Sequence, residues 1–214
     1  MLSELPCVAF QNFCDLKNIR LKAKEDIPSE TELLFCSGCI IVTVGRISFE
    51  KGYDLFARVF AKVVEEIPDA KWLIVGSVPS QGSLKTILNG LKLSFSDDLE
   101  STTAKVIFVG FQKNPHKWVA RSTVSVLSSR NEGFPNVMLE AMALGKPVIA
   151  ADCPYGPDEI LGARVGDHFE REYGVLLPSL SNGAHHIQLW KAQLVKMLTN
   201  STHREYYERQ ALKR

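Results

Sequence analysis

The sequence predicts an α/β protein with a doubly wound, Rossmann-like parallel sheet, and three observations carry the prediction. From Ile40 onward, short β-branched runs alternate with longer amphipathic stretches, which is the signature of βαβ units. The segment Tyr53 to Ile67 sets Leu55, Phe56, Val59, Phe60, Val63 and Ile67 at spacings of three and four, the stripe of a crossover helix facing a sheet. The residues suited to hold an anion fall just after predicted strands, where sheets of this kind bind ligands.

Strands are expected over 40–44, 71–75, 105–109, 123–127, 147–150 and 174–177. The crossover helix after the first strand stops before Pro68-Asp69, a helix-stop and turn signal. A second helix is read over 83–93, with Leu84, Ile87, Leu88 and Leu91 inward, and 94–103 is read as a polar surface loop. A short helix over 114–120 has Asn114 as cap and Pro115 in its first position. Another runs over 136–144 and is stopped by Gly145 and Pro147. Two terminal helices are expected over 188–198 and 203–212. Before Ile40 no strand or helix pattern stands out, so residues 1–37 read as a hinge segment and 38–214 as the folded domain.

Bulk composition narrows the function classes. A chain of 214 residues with 45% hydrophobic and 23% charged residues fits one globular α/β domain. The net charge of +1 provides no broad positive field for nucleic acid, so an anionic ligand has to be held locally. Apolar runs such as 40–44 and 106–109 fall far short of the roughly 20 residues that span a bilayer. The amino-terminal segment lacks the basic start and apolar run of a signal peptide, and a cytoplasmic location is expected. Cys7, Cys14, Cys36, Cys39 and Cys153 form an odd set, which argues for free thiols. Cys36 and Cys39 lie before a strand rather than at a helix start after one, unlike a redox pair. His185-His186 has no partner at ligand spacing and reads as a solvated loop or helix start. No metal site is expected.

Two segments carry chemistry. The strand over 40–44 runs into Gly45-Arg46-Ile47-Ser48-Phe49-Glu50-Lys51-Gly52, where Gly45 would let a ligand approach the backbone. Arg46 can grip two phosphate oxygens and Lys51 adds a mobile charge near a helix start, a combination suited to a diphosphate. The strand over 123–127 runs into a loop shaped by Gly133 and Pro135, with Glu132 in the loop and Glu140 one turn into the next helix. The amino end of that helix offers unpaired N–H groups to a ligand above it. The two carboxylates can then face different parts of one elongated ligand.

With Val44-Gly45-Arg46, Lys51-Gly52, Val109-Gly110-Phe111-Gln112, the glutamates 132 and 140 with seven residues between them, Gly145-Lys146-Pro147 and the run 152–161, the sequence resembles the family 4 retaining glycosyltransferases, also called glycosyl transferases group 1. The likeness runs in order from about residue 40 to 178. It implies the carboxyl-terminal, nucleotide-sugar donor-binding half of a two-domain GT-B fold, with the amino-terminal acceptor domain absent and residues 8–15 resembling the hinge. Arg46 and Lys51 would bind the donor diphosphate and neutralise the departing nucleotide without a metal or other cofactor. Glu140 would accept the ribose hydroxyls and Glu132 would contact the transferred sugar. The backbone at Gly133, Phe134, Asn136 and Val137 would bind sugar hydroxyls and phosphate oxygens, and the loop at Phe111 and Gln112 would border the base. The implied partners are a nucleotide-sugar and a glycan or lipid-linked acceptor, in polysaccharide or glycolipid synthesis, with peripheral membrane association of a full-length protein at the inner face. A non-catalytic nucleotide-sugar-binding module working with a separate acceptor chain, or a nucleotide-sugar epimerase, are the alternatives. A glycosidase with paired carboxylates has no use for Arg46 and Lys51, and a dehydrogenase lacks its Gly-x-Gly-x-x-Gly.

Overall fold

A computed structural model of the chain describes residues 14–36, 38–77, 81–165, 169–180 and 183–214. Strands β1 (Ile40–Val44), β2 (Lys71–Val75), β3 (Phe95–Ser96), β4 (Val106–Gly110), β5 (Val124–Leu127), β6 (Val148–Asp152) and β7 (Val175–Pro178) form one sheet in the order β3-β4-β2-β1-β5-β6-β7. Every pairing is parallel. Both faces of such a sheet are covered, so β1, β2 and β5 read as near-continuous apolar runs. The expected doubly wound α/β architecture is the one observed.

The helices are α1 (Leu16–Ala23), α2 (Tyr53–Glu66), α3 (Gln81–Gly90), α4 (His116–Arg121), α5 (Asn136–Ala143), α6 (Pro157–Leu161), α7 (Ala184–Thr199) and α8 (Ser201–Ala211). One face of the sheet packs against α2, α3 and α7 around Phe56, Phe60, Trp72 and Trp190. The other packs against α4, α5 and α6 around Trp118, Met138, Met142 and Ile160. Trp72 is edge-on to Phe56 with ring centroids 4.9 Å apart, and its Nε1 donates to Thr43 Oγ1 at 3.0 Å, which pairs two buried polar atoms. Strand order reverses at β1, flanked by β2 and β5. The chain leaves β1 for α2 on one face and leaves β5 for α5 on the other, which opens a crevice between the two loops.

Four local readings change. The segment before Ile40 contains α1 and a 3-10 turn over Ser29–Phe35, where no element is expected from the sequence. In α1 only Ile19 is buried, so a helical stripe shrinks to a single residue; the legible signal is Asp15, whose side chain accepts from Asn18 N–H at 3.1 Å. This helix packs on α4 and α5, with Arg20 Nε donating to Ala143 O and Asn114 Nδ2 donating to Lys22 O. Second, residues 94–103 include β3, too short to show a period, whose Phe95 packs edge-on to Phe108. Third, α6 starts at Pro157 and lasts five residues, which hides it from a pattern search. Fourth, α4 begins one residue later than Pro115, and Asn114 Oδ1 caps it by accepting from His116 N–H at 3.1 Å. His185 and His186 fall in the first turn of α7. The hinge-like residues 8–13 and Cys7 lie outside the described residues; the other four cysteines are free thiols.

Candidate functional site

The loop after β1 is held both by its own turn, with Lys51 N–H donating to Ser48 O and Gly52 N–H to Phe49 O, and by its neighbours. Ile47 N–H donates to Ser77 O at 2.9 Å, a 3-10 turn covers Phe49–Lys51, and Gly52 then takes a left-handed φ of 66° to start α2. A side chain at 52 has no room, because a Cβ there would stand 2.2 Å from Ser128 O. The loop is thereby pressed against the carboxyl end of β5. Ser128 Oγ donates to Lys51 O at 2.8 Å and Arg130 N–H to Glu50 O at 2.7 Å.

Arg130 completes the clamp. Its guanidinium forms a bidentate pair with Asp54 at 2.7 and 2.6 Å, donates to Phe49 O at 2.6 Å and stacks 4.1 Å from the centre of the Phe49 ring. Burial raises the Asp54 carboxyl pKa, but the hydrogen bonds and charge of Arg130 outweigh it and leave the group below its ordinary value. These contacts hold the two switch-point loops against each other.

Arg46, Lys51, Glu132, Gly133 and Tyr155 line an open cleft of about 450 Å³ above these loops. Within it Lys51 Nζ is 2.7 Å from Glu132 Oε1, and Ser129 Oγ donates to the same oxygen at 2.5 Å. Arg46 is exposed on the wall. Nothing stands within 4 Å of the position a Cβ would take on Gly133, so its backbone faces open space beside α5. Pro135 precedes α5 and no side chain caps that helix, while Asn136 N–H donates to Phe134 O at 3.0 Å and Met138 N–H to Pro135 O at 2.9 Å, so backbone carbonyls satisfy part of its amino end. The pKa of the buried Cys153 thiol is pushed up to about 11 by burial and then by the charge of Glu132.

Glu140 lies on the far side of the first turn of α5. It lines a separate pocket of about 200 Å³ with Asn136 of the same helix, His116 of α4, and Asp15 and Asn18 at the start of α1. Burial raises its carboxyl pKa, opposed by Lys22. The paired glutamates thus stand on two sides of one helix end.

Gly45 needs a correction. The expectation is that its missing side chain admits a ligand, but the space is filled from within the protein, since a Cβ at 45 would lie 3.2 Å from Lys51 Cε and 3.3 Å from the Tyr53 hydroxyl. Its role is to let the lysine stem cross the backbone. Gln112 turns inward, with Nε2 donating to Val109 O at 3.1 Å, while Phe111 is 71% exposed at the end of β4. The Phe134 side chain faces the α1 and α8 side, where it shares an apolar pocket with Leu139 and Leu212, and Val137 packs on the core. For these two residues only the backbone is left to meet a ligand at the cleft.

This arrangement of switch-point loops and glutamates coincides with a match to the family model of glycosyl transferases group 1 over residues 38–185. The chain belongs to that family. An uncharacterized glycosyltransferase of Methanocaldococcus jannaschii is 30% identical over 176 residues, covering 79% of this chain and 41% of the relative. An N-acetylgalactosaminyltransferase of Campylobacter jejuni acting on a diphospho-undecaprenol-linked sugar is 29% identical over 176 residues, 82% of this chain and 41% of its own. The chain therefore spans about two fifths of the length of these relatives. Among solved structures, the carboxyl-terminal domain of the group 1 glycosyl transferase LpcC from Francisella tularensis superposes with a TM-score of 0.64 at 23% identity, covering 81% of this chain and 82% of that one. HepE of Anabaena, in complex with UDP and glucose, superposes at 0.67 with 20% identity over 90% of this chain and 49% of its own. These likenesses establish that the chain has the α/β domain fold found in GT-B glycosyltransferase structures.

Several residues at this cleft and beside Glu140 carry no signal in the sequence. Arg130, Asp54 and Ser129 are ordinary polar residues until β1 and β5 lie side by side. Tyr155, 78% exposed with a left-handed φ of 63°, edges the cleft in a conformation that no local pattern announces. His116 follows Asn114-Pro115, which is legible only as a helix start. No helix is long and apolar enough to cross a membrane, and no group of three His, Cys, Asp or Glu side chains is placed to hold a metal, among the described residues.

Proposed function

We propose that this chain is the donor-binding part of a retaining glycosyltransferase, which holds a nucleoside-diphosphate sugar across the amino end of α5 and passes the sugar to a glycan or lipid-linked acceptor. The observation that carries the reading is the convergence of Arg46, Lys51 and Glu132 on one open cleft at the switch point, with Glu140 on the other side of the same helix end. A ligand laid across α5 meets cations and the positive end of the helix dipole in its middle and one carboxylate at each end. In this pose the diphosphate lies over Arg46, Lys51 and the helix end, the transferred sugar beside Glu132, and the ribose beside Glu140.

Cleavage of the sugar–phosphate bond builds negative charge on the departing diphosphate. Arg46 and Lys51 stabilise that charge, so donor binding is expected to be independent of a divalent cation. Relatives named for transfer to lipid-linked and polysaccharide products, and structural neighbours bound to UDP, support the substrate class. The retained anomeric configuration rests on the motif of the two glutamates. The chain spans about two fifths of the length of its relatives and its cleft is open, so these 214 residues by themselves are expected to bind donor and to transfer sugar poorly.

Titration calorimetry of the chain with UDP, GDP, ADP and their sugars tests the reading, with and without EDTA. One nucleotide should bind, and Arg46→Ala and Glu140→Ala should each weaken it at least tenfold, a loss of about 1.4 kcal/mol. Unchanged affinity in both variants refutes the site, and robust transfer by the chain without a partner refutes its half-site character.

A further inference from the structure

Between β4 and α4 the segment Asn114-Pro115-His116 directs an imidazole at α5. Its backbone is fixed from two sides, because Asn114 accepts from His116 N–H and donates to Lys22 O at 2.8 Å. The His116 side chain is 12% exposed, and its Nδ1 is buried with no hydrogen-bond partner among the described residues. That nitrogen stands 3.8 Å from Glu140 Oε2, on the wall of the pocket that Glu140 shares with Asn136 and Asp15. The gap is too wide for a direct hydrogen bond, and with a small turn of the ring one oxygen at about 2.8 Å from each atom bridges it. A buried ring nitrogen left unpaired is costly, so a group that fills this gap recovers the cost.

The chemistry of the gap selects the group. Burial, and then Lys22, hold the His116 pKa below its ordinary value, so the ring is neutral at pH 7 and its Nδ1–H tautomer is a donor. Glu140 offers only acceptors when ionised. A phosphate would be repelled by Glu140 and Asp15, and an apolar edge would leave both polar atoms unpaired. A hydroxyl serves both, accepting from the imidazole and donating to the carboxylate.

We infer that His116 is a specificity-determining residue of the donor site, which together with Glu140 clasps one hydroxyl of the ribose diol and so selects ribonucleotides over deoxyribonucleotides. The inference rests on the reading that Glu140 receives the ribose.

Calorimetry of the 214-residue chain at pH 7.5 with UDP, GDP and ADP, and with the 2′-deoxy and 3′-deoxy counterpart of each, tests it. For the nucleotide that binds, His116→Phe should lower affinity roughly tenfold. One deoxy counterpart should bind the wild type and His116→Phe equally, at the weakened level. His116→Asn, with an amide near the place of Nδ1, should recover part of the loss and the discrimination. Ribonucleotide affinity unchanged in His116→Phe, or an equal loss for ribo and both deoxy ligands, overturns the inference. Thermal melting checks that the variants fold; if His116→Phe does not, ring ¹⁵N shifts of His116 in the wild type decide. They should move with the ribonucleotide and not with its 2′,3′-dideoxy counterpart, and equal movement with both overturns the inference. Failure of the underlying reading looks different: Arg46→Ala and Glu140→Ala leave binding intact, or no nucleotide binds the wild type, and both readings then fall.

Discussion

Lys51 Nζ lies 2.7 Å from Glu132 Oε1, so a cation on the cleft wall is already paired with the neighbouring carboxylate. Under the proposed function these groups serve adjoining parts of one ligand, and a bare diphosphate has to compete with Glu132 for Lys51. Glu132→Gln should therefore bind the nucleoside diphosphate about threefold or more tighter while losing its preference for the nucleotide-sugar. Lys51→Ala should weaken both. Calorimetry with a diphosphate and its sugar conjugate on the two variants measures each effect.

Arg130 ties the loop after β5 to the loop after β1 through Asp54 and Phe49. Arg130→Ala should cost about 1–2 kcal/mol in a urea titration, a figure kept low because both side chains are partly exposed. The larger effect should be on donor affinity, since Lys51 and Glu132 are aligned by that contact. Native stability loss with unchanged affinity would refute the positioning role.

Gly52 combines a left-handed backbone with contact against a carbonyl oxygen. Gly52→Ala should destabilise the chain by roughly 2 kcal/mol or more, from backbone strain plus displacement of Ser128. Thermal unfolding should drop by several degrees. A melting temperature equal to that of the wild type would count against the geometry.

The pKa of His116 is lowered by burial and then by Lys22, and that of His203 by burial and then by Lys196. The unfolded chain then takes up protons before the folded one as pH falls below about 6.5, so stability is retained above that value and declines below it. Glu140, whose pKa is raised by burial, acts in the opposite sense at lower pH, where its protonation relieves a cost of folding. Urea midpoints should fall between pH 7 and 5.5, and fall less in His203→Gln, where one of the two groups is removed.

Much of this organisation is legible in the sequence because it is written in local spacing. The stripe of Phe56, Val59, Phe60 and Val63 announces α2, and the continuous runs over 40–44 and 71–75 announce strands buried on both faces. The loops bearing Arg46, Lys51 and Glu132 are recognisable because each follows a strand and precedes a helix, and Glu140 lies in the helix that follows the second loop. Elements with little burial of their own escape, as α1 does with Ile19 alone and β3 with two residues.

The sequence by itself determined the fold class, the two segments that carry chemistry and the residue types in them, since periodicity and strand-to-helix loops are properties of neighbours along the chain. Only the tertiary structure decided which of those residues meet. It paired Lys51 with Glu132, filled the space over Gly45 with the lysine stem, set Glu140 in a different pocket from Glu132 and brought His116 to its side. The physical reason is that β1 and β5 are adjacent in the sheet while lying some 80 residues apart in the chain, and hydrogen bonding and packing across that junction leave no periodic trace in the sequence.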